Sequence, residues 1–410
     1  MKNIPFSPPY IWKEEIDAVS NVLKSGWITT WPKNKEFEDK ICNYIWCEKV
    51  NLVSSATAWL ETSLRILWIW SWDEVIIPSY TYTATASSII HVWAKPIIVD
   101  INENDFNISL KEIEKNITKK TKAIIPVDFW WYPVDYDWLR VLLENKKHLF
   151  NTNNKVHKEI WRIAIISDSA HSFWAKYNWK IIWVKWLADF SVFSFHAVKN
   201  LTTAEWWAIL YNFWSNLNDY IYNQIKLWTL HWQTKDAFSK TNWNWEYDII
   251  FPWYKANMTD IQASIWIVQL NKYNDILNQR EYIYNYYNSW LKELENRGLI
   301  ELPKWVDNWN ITKWSFHLYP ILLNNSIKSK RNYIIDKMLE KWISTNIHFK
   351  PLQLLTAYKN LWYQIENTPN SFNKFEREIS LPIWPWMKDN ELDYILVNLQ
   401  ELLKQIWTIK

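Results

Sequence analysis

Only two glycines occur in 410 residues, beside 35 tryptophans. Few features constrain a fold more, because glycine alone takes left-handed backbone at helix ends and tight turns without steric cost. At an average usage near 7%, a chain of this length carries roughly 29 glycines. Position says more than the count. Trp342 follows the helical run "IIDKMLEK" and precedes "ISTNIHF", the slot after a helix where a Cβ is penalised. Trp72 in "SWDE" and Trp179 in "YNWK" stand where S-G or N-G is ordinary turn chemistry. Doublets recur in "VDFWWYPVD" and "TAEWWAIL". The pattern suggests that most tryptophans mark glycine positions. The codon TGA is one base from GGA and is read as stop, tryptophan or glycine in different codes. The abundance of Lys, Asn and Ile fits AT-rich coding. A real tryptophan-rich sugar-binding surface is the alternative, but it has no reason to strip glycine from turns.

Apolar runs alternate with helical ones through the first half. "DEVIIPS" precedes the helical "TATASSIIHV", then come "KPIIVDI", "KAIIPVDF", "IAIISDS" and "FSVFSF". This predicts an α/β fold with a mainly parallel sheet. In "KEEIDAVSNVLK", Ile16, Val19 and Leu23 share one helical face, the spacing of an amphipathic helix. After residue 250 the pattern changes. "MTDIQASIWIVQLNKYNDIL" predicts one long helix opened by a Thr259–Gln262 capping box. Strand-like "FHLYPILL" and "ISTNIHF", the helix "RNYIIDKMLEK" and a last amphipathic helix follow. The expected division is a large α/β domain over 1–250 and a smaller α+β domain over 251–410. "NTNNKVHKE" reads as a solvated loop.

The remaining bounds are milder. A net charge of +3 gives no bias toward nucleic acid or membrane. Cys42 and Cys47 are too few for a disulfide framework and wrongly spaced for zinc, so reduced thiols and no metal are expected. "MKNIPFSPPY" lacks an apolar leader core and no run approaches a membrane span, which predicts a soluble, cytoplasmic chain.

Three segments carry chemistry at strand ends, where α/β sheets collect their sites. "IAIISDSAH" ends with Asp168 and His171, "FSVFSFHAVKN" with Ser194 and Lys199, and "VSSATAWLE" with Ser55 and Thr57 before a helix. A lysine, a buried carboxylate and a helix start able to cradle phosphate suggest pyridoxal phosphate. Lys199 would carry the imine and Asp168 would keep the pyridine nitrogen protonated. Singly, each has a plainer reading: such a Lys is usually surface, and such an Asp usually caps a helix.

With tryptophan read as glycine, "SGWITTWPKNKEFE", "SSATAWLETSLRILWIWSWDEVIIPSYTYTATA", "DSAHSFWAKYNWK", "FSFHAVKNLTTAEWWAIL" and "FPWYKANMTDIQASIWIVQL" resemble the DegT/DnrJ/EryC1/StrS family. The resemblance runs from about Ile4 to the end, including "LPIWPWM". The family has glycine at Trp31, Trp59, Trp93, Trp174, Trp253 and Trp266, whereas Trp27 matches a family tryptophan. It implies an aspartate-aminotransferase-type (fold type I) pyridoxal 5'-phosphate enzyme, with Lys199 as imine lysine and Asp168 on the pyridine nitrogen. It also implies His171 beside the cofactor and Tyr82 stacked on the ring. Thr57, Ala58 and Ser194 form the phosphate cradle. Asn257 would reach the neighbouring subunit's phosphate, which makes a homodimer with shared sites. His348 and His231 fall in segments near the substrate, His231 being equally readable as a structural loop residue. The implied reaction moves an amino group, usually from glutamate, to a 4-keto nucleotide sugar for surface polysaccharide or glycan synthesis. Ala256 departs from the family pattern and bears on sugar preference. A sugar dehydratase relative would carry histidine at Lys199. A non-catalytic regulator or a sugar-binding protein on this scaffold would be expected to lose Lys199 or Asp168.

Overall fold

The Ile- and Val-rich runs form strands, as β-branched side chains favour. In the computed structural model, residues 3–130, 133–173, 176–177, 180–181, 187–202, 207–211, 213, 215–235, 246–303, 311–313 and 315–408 are described. The expectations for Trp131, Trp174, Trp179 and Trp206 lie outside them. The first strands are β1 (Val50–Val53), β2 (Glu74–Pro78), β3 (Lys95–Val99), β4 (Thr121–Ile124) and β5 (Ala164–Asp168). They are followed by β6 (Lys176–Tyr177), β7 (Lys180–Ile181), β8 (Phe190–Ser194) and β9 (Trp207–Tyr211). Seven of them make one sheet in the order β1-β9-β8-β5-β4-β2-β3. From β3 to β8 every pairing is parallel, while β9 runs antiparallel to both β8 and β1. The fold is therefore α/β with a mainly parallel sheet.

The helices of this half are α1 (Lys13–Ser25), α2 (Pro32–Ile45), α3 (Ala56–Ile66), α4 (Thr83–His91), α5 (Leu110–Asn116), α6 (Tyr136–Asn145), α7 (Lys155–Ile160) and α8 (Ser215–Thr229). Strand alternation splits the core between the two sheet faces. Val75, Ile77, Ile166 and Val192 pack with Leu60, Ile89 and Ile221 of α3, α4 and α8. Ile76, Ile124 and Ile165 face α5 and α6. Leu52, Phe193 and Leu210 meet α2 and α9 (Asp260–Asn271).

Beyond α10 (Tyr273–Asn296), β10 (Ile300–Glu301), β12 (Tyr319–Leu323) and β13 (Glu378–Leu381) make a separate antiparallel sheet, and β11 (Ile311–Lys313) joins the β6–β7 ribbon. The small sheet is buried against α10, α11 (Arg331–Glu340) and α14 (Asp389–Thr408), with α13 (Pro369–Arg377) alongside, whereas α12 (Thr356–Lys359) packs its Tyr358 into the core of the large sheet.

Several local expectations fail for identifiable reasons. On α1 the buried residues are Glu15 and Val22, while Ile16 and Leu23 are 61% and 55% exposed. Glu15 turns inward because its carboxylate accepts from Gln269 Nε2 at 2.9 Å and from its own N-cap N–H at 2.9 Å, with Lys272 Nζ at 3.1 Å. Thr259 makes no capping bond. Its neighbour Asp260 instead accepts from the N–H groups of Trp31, Lys33 and Asn34, capping the start of α2, which has no side-chain cap of its own. The long helix breaks at Lys272 into α9 and α10. "NTNNKVHKE" is not a loop: α7 starts there because the buried Asn154 accepts from His157 N–H at 2.8 Å. "ISTNIHF" makes only the isolated bridges Ile343 to Ile4 and Asn346 to Ser380.

Twelve described non-glycine residues have positive φ, and ten of them are tryptophan: Trp46, Trp68, Trp72, Trp93, Trp130, Trp161, Trp232, Trp342, Trp362 and Trp386. Trp46 and Trp161 end α2 and α7 in left-handed backbone, and Trp342 has φ 61° after α11. The two glycines have φ 74° and 69°. Trp59 and Trp266 differ, being fully buried within α3 and α9.

Candidate active site

Asp168 closes β5, buried at the C-terminal end of the parallel sheet. Its Oδ2 accepts from Thr85 Oγ1 of α4 at 2.9 Å. Burial pushes this carboxyl above its usual range, with Thr85 and the Lys199 ammonium opposing. Lys199 lies just past β8 in a turn where its N–H donates to His196 C=O at 2.8 Å. Burial pulls its ammonium down to about 7, with the Asp168 carboxylate opposing. A lysine so placed is substantially neutral near physiological pH, as a nucleophilic amine must be. Parallel strands β5 and β8 deliver the pair side by side.

Ala170, His171, Ser194, Lys199, Asn200 and His317 line one cleft. The His171 ring is 4.6 Å from the His317 ring and stacks on Phe349 at 5.8 Å. Its Nδ1 accepts from Trp130 N–H at 3.2 Å. Burial, with Lys199 nearby, holds both His171 and His317 well below the usual imidazole range, so both are neutral. Across β1, Thr57 and Ala58 open α3, where Ala58 N–H donates to the Ser55 Oγ cap at 3.0 Å. Tyr82 precedes α4, 61% exposed, its ring 6.1 Å from that of Phe349.

The other candidates lie outside the lining of this cleft. His348 is buried enough that its pKa falls to about 3, and its Nδ1 pairs with Ser380 Oγ at 2.9 Å. Its ring is 5.3 Å from Phe6. Asn257 bridges to Val53 of β1 and donates to Thr30 Oγ1, yet it lines a separate cavity of about 550 Å³ with Tyr222, Lys226 and Gln233. The structure does not bring it to Lys199. His231 is exposed, its Nδ1 2.7 Å from Trp253 O, and is not among the cleft residues.

Sequence reasoning missed Thr85, Asn200, Ser315 and His317. Ser315 Oγ donates to His171 C=O at 2.6 Å, and His317 Nδ1 is 3.1 Å from Asn200 Oδ1. Asn200 also donates to Ser315 C=O. Adjacency to Lys199 could have flagged Asn200, and the histidine opening "HLYPILL" could have flagged His317. Thr85, three residues after Tyr82, carries no signal without the fold.

These residues suit pyridoxal phosphate: an uncharged amine, an anionic partner for a cationic ring nitrogen, and a helix start for a phosphate. No group of His, Cys, Asp and Glu able to hold a metal occurs among the described residues. Residues 9–400 match the DegT/DnrJ/EryC1/StrS aminotransferase family. The chain is 36% identical over 407 residues to MJ1066 of Methanocaldococcus jannaschii, covering 98% of each. It is 30% identical to the spore coat polysaccharide biosynthesis protein SpsC of Bacillus subtilis, covering 98% of this chain and 97% of SpsC. Spr1654 of Streptococcus pneumoniae in its PMP form superposes with a TM-score of 0.92 at 40% identity, over 100% of this chain and 99% of that one. Helicobacter pylori PseC, an aminotransferase of pseudoaminic acid biosynthesis, shares the fold with a TM-score of 0.84 at 24% identity, over 98% and 100%. The chain therefore belongs to the DegT/DnrJ/EryC1/StrS family and is a pyridoxal-phosphate-dependent sugar aminotransferase.

Proposed function

We propose that the enzyme transfers the amino group of glutamate to the 4-keto group of a nucleotide sugar used for a surface polysaccharide or glycan. The observation that carries this reading is the Lys199 amine, held near neutrality beside the buried Asp168 carboxylate. The name of SpsC supports the polysaccharide assignment. Pyridoxal phosphate, when bound, supplies an electron sink. Lys199 would hold it covalently and, once displaced by the donor, take the proton from the donor's Cα. Asp168, oriented by Thr85, would keep the pyridine nitrogen protonated. Ser194, Thr57 and Ala58 would hold the phosphate, His171 and Tyr82 the ring, and His348 and His231 would border the sugar. The test is to incubate the purified protein with a 4-keto nucleotide sugar and glutamate. Formation of 2-oxoglutarate and a 4-amino sugar supports the reading, and turnover of keto acids without sugar product refutes it.

The same reading makes the enzyme a cytoplasmic homodimer in which Asn257 completes the partner's phosphate site. Asn257 opens into a cavity away from its own Lys199, and its Oδ1 is buried without a partner. The exposed Ile16 and Leu23 of α1 supply an apolar surface for a second copy. No described helix is long and apolar enough to cross a membrane.

We infer in addition that the left-handed tryptophans are glycine in the native protein. Ten of the twelve described positive-φ non-glycine residues are tryptophan, a type with no affinity for that region. TGA codons at these positions, and glycine masses in native peptides, are expected; TGG codons at Trp72, Trp93 and Trp342 would overturn the inference.

A further inference from the structure

Past β4 the chain runs beside β5 and presents Asp128, fully buried, to five donors. Its Oδ1 accepts from Val134 N–H at 3.1 Å and the Tyr136 hydroxyl at 2.9 Å. Its Oδ2 accepts from Ser167 at 3.1 Å, Ser169 at 2.8 Å and Ser172 at 3.1 Å. No cation pairs with it among the described residues. Burial raises this carboxyl to about 6, against the hydroxyls that favour its charge. A buried carboxylate satisfied by four hydroxyls and one backbone N–H, with no cation, is costly, and removing it would orphan several donors together.

The three serines bracket the cofactor residues. Side chains alternate along an extended strand, so Ser167 and Ser169 turn toward Asp128 while Asp168 points the other way, to Thr85. Ser172 directly follows His171. The backbone reinforces the clamp: Asp128 N–H donates to Asp168 C=O at 3.1 Å, and Asp168 N–H to Pro126 C=O at 2.9 Å. Two residues on, Trp130 N–H meets the His171 ring at 3.2 Å.

We propose that Asp128 is a positioning residue: its carboxylate locks the Ser167–Ser172 turn and so aims Asp168 and His171 at the cofactor without touching it. The proposal rests on the cofactor roles given above to Asp168 and His171. It separates from a purely structural role because only some of the five donors belong to the turn. Tyr136 belongs to α6 and its hydroxyl also meets Ser167 Oγ, but when that hydroxyl is lost Ser169 and Ser172 still donate to the carboxylate and hold the turn.

The test compares Asp128→Asn, the pair Ser169→Ala/Ser172→Ala, Tyr136→Phe and Asp168→Ala in the full chain. The readouts are the dissociation constant for pyridoxal phosphate, the visible absorption of the loaded protein and the unfolding midpoint of the cofactor-free protein. Asp128→Asn and the serine pair should weaken cofactor binding roughly tenfold, about 1.4 kcal/mol, and shift the visible band toward that of Asp168→Ala. Tyr136→Phe should lower the unfolding midpoint but leave affinity and band unchanged. The serine pair keeps the test open if Asp128→Asn does not fold. Asp168→Ala losing affinity while the serine pair retains it overturns the proposal, as does Tyr136→Phe losing as much as the pair. If Asp168→Ala itself binds normally, the cofactor role of Asp168 is wrong and the proposal falls with it.

Discussion

In the chain made with tryptophan at every printed position, replacing the exposed left-handed tryptophans by glycine should stabilise the fold. Trp46, Trp68, Trp72, Trp93, Trp161, Trp342 and Trp362 all have positive φ and are 63–88% exposed, so their indoles bury little surface. Left-handed backbone costs an L-residue roughly 1–2 kcal/mol. Glycine removes that strain but returns about 0.4–1 kcal/mol of freedom to the unfolded chain. The net gain is about 0.5–1 kcal/mol per site, and about 4–7 kcal/mol for all seven if they add as distant sites do. At roughly 2 cal/mol/K per residue, 410 residues make ΔS near 0.9 kcal/mol/K, so the sevenfold variant should melt about 4–8 °C higher. Trp138 is the control: it is 65% exposed, but it lies within α6. Glycine there should cost about 0.5 kcal/mol, the difference between the helix propensities of tryptophan and glycine. Thermal and denaturant unfolding of the seven single variants, the sevenfold variant and Trp138→Gly checks the argument. A sevenfold variant that melts no higher, or a Trp138→Gly that gains as much as the left-handed sites, would refute it.

Uptake of pyridoxal phosphate by the cofactor-free chain should accelerate as pH rises through about 7, where the Lys199 amine becomes neutral. Because the Asp168 carboxylate raises that pKa, Asp168→Asn should move the rise to lower pH, seen in the rate of visible absorbance change. Lys199→Ala should cut turnover by roughly 10²–10⁴ in a coupled assay for 2-oxoglutarate. Mixing an Asn257 variant with a Lys199 variant should restore part of the activity through one intact site; mixed dimers without restored activity would place Asn257 elsewhere. Burial holds His157 at about 4 against an ordinary 6.5. Between those values the unfolded chain binds a proton that the native chain does not, so stability falls as pH drops from 6.5 toward 4, by about 3 kcal/mol. In His157→Gln this loss should vanish from denaturant curves.

The parallel strands were legible because each is a short, largely apolar run bounded by turns, most of them buried along their length. Lys199, Asp168, His171 and Ser194 were legible because each sits at or just beyond a strand end. What failed was decided at a distance. Ile16 and Leu23 have the right helical spacing, but Glu15 wins the inner face through Gln269 and Lys272, far along the chain. Thr259 has a capping sequence, yet its neighbour Asp260 serves another helix. Thr85, Asn200, Ser315 and His317 gain their roles only when segments from four places meet.

The antiparallel strand β9 lies between β8 and β1, pairing Val192 with Ile209 and Asn51 with the same residue. During synthesis β1 therefore waits through more than half the large sheet before the strand it pairs with emerges. Until then β1 and β8 are open edges, apolar on both faces. A nascent chain stopped before Tyr211 holds Asp168 and Lys199 but no closed sheet, and Ser315 and His317 arrive later still. Assembly of the site is end-loaded: truncated chains should aggregate rather than bind cofactor, and competence appears only when nearly the whole polypeptide has been released.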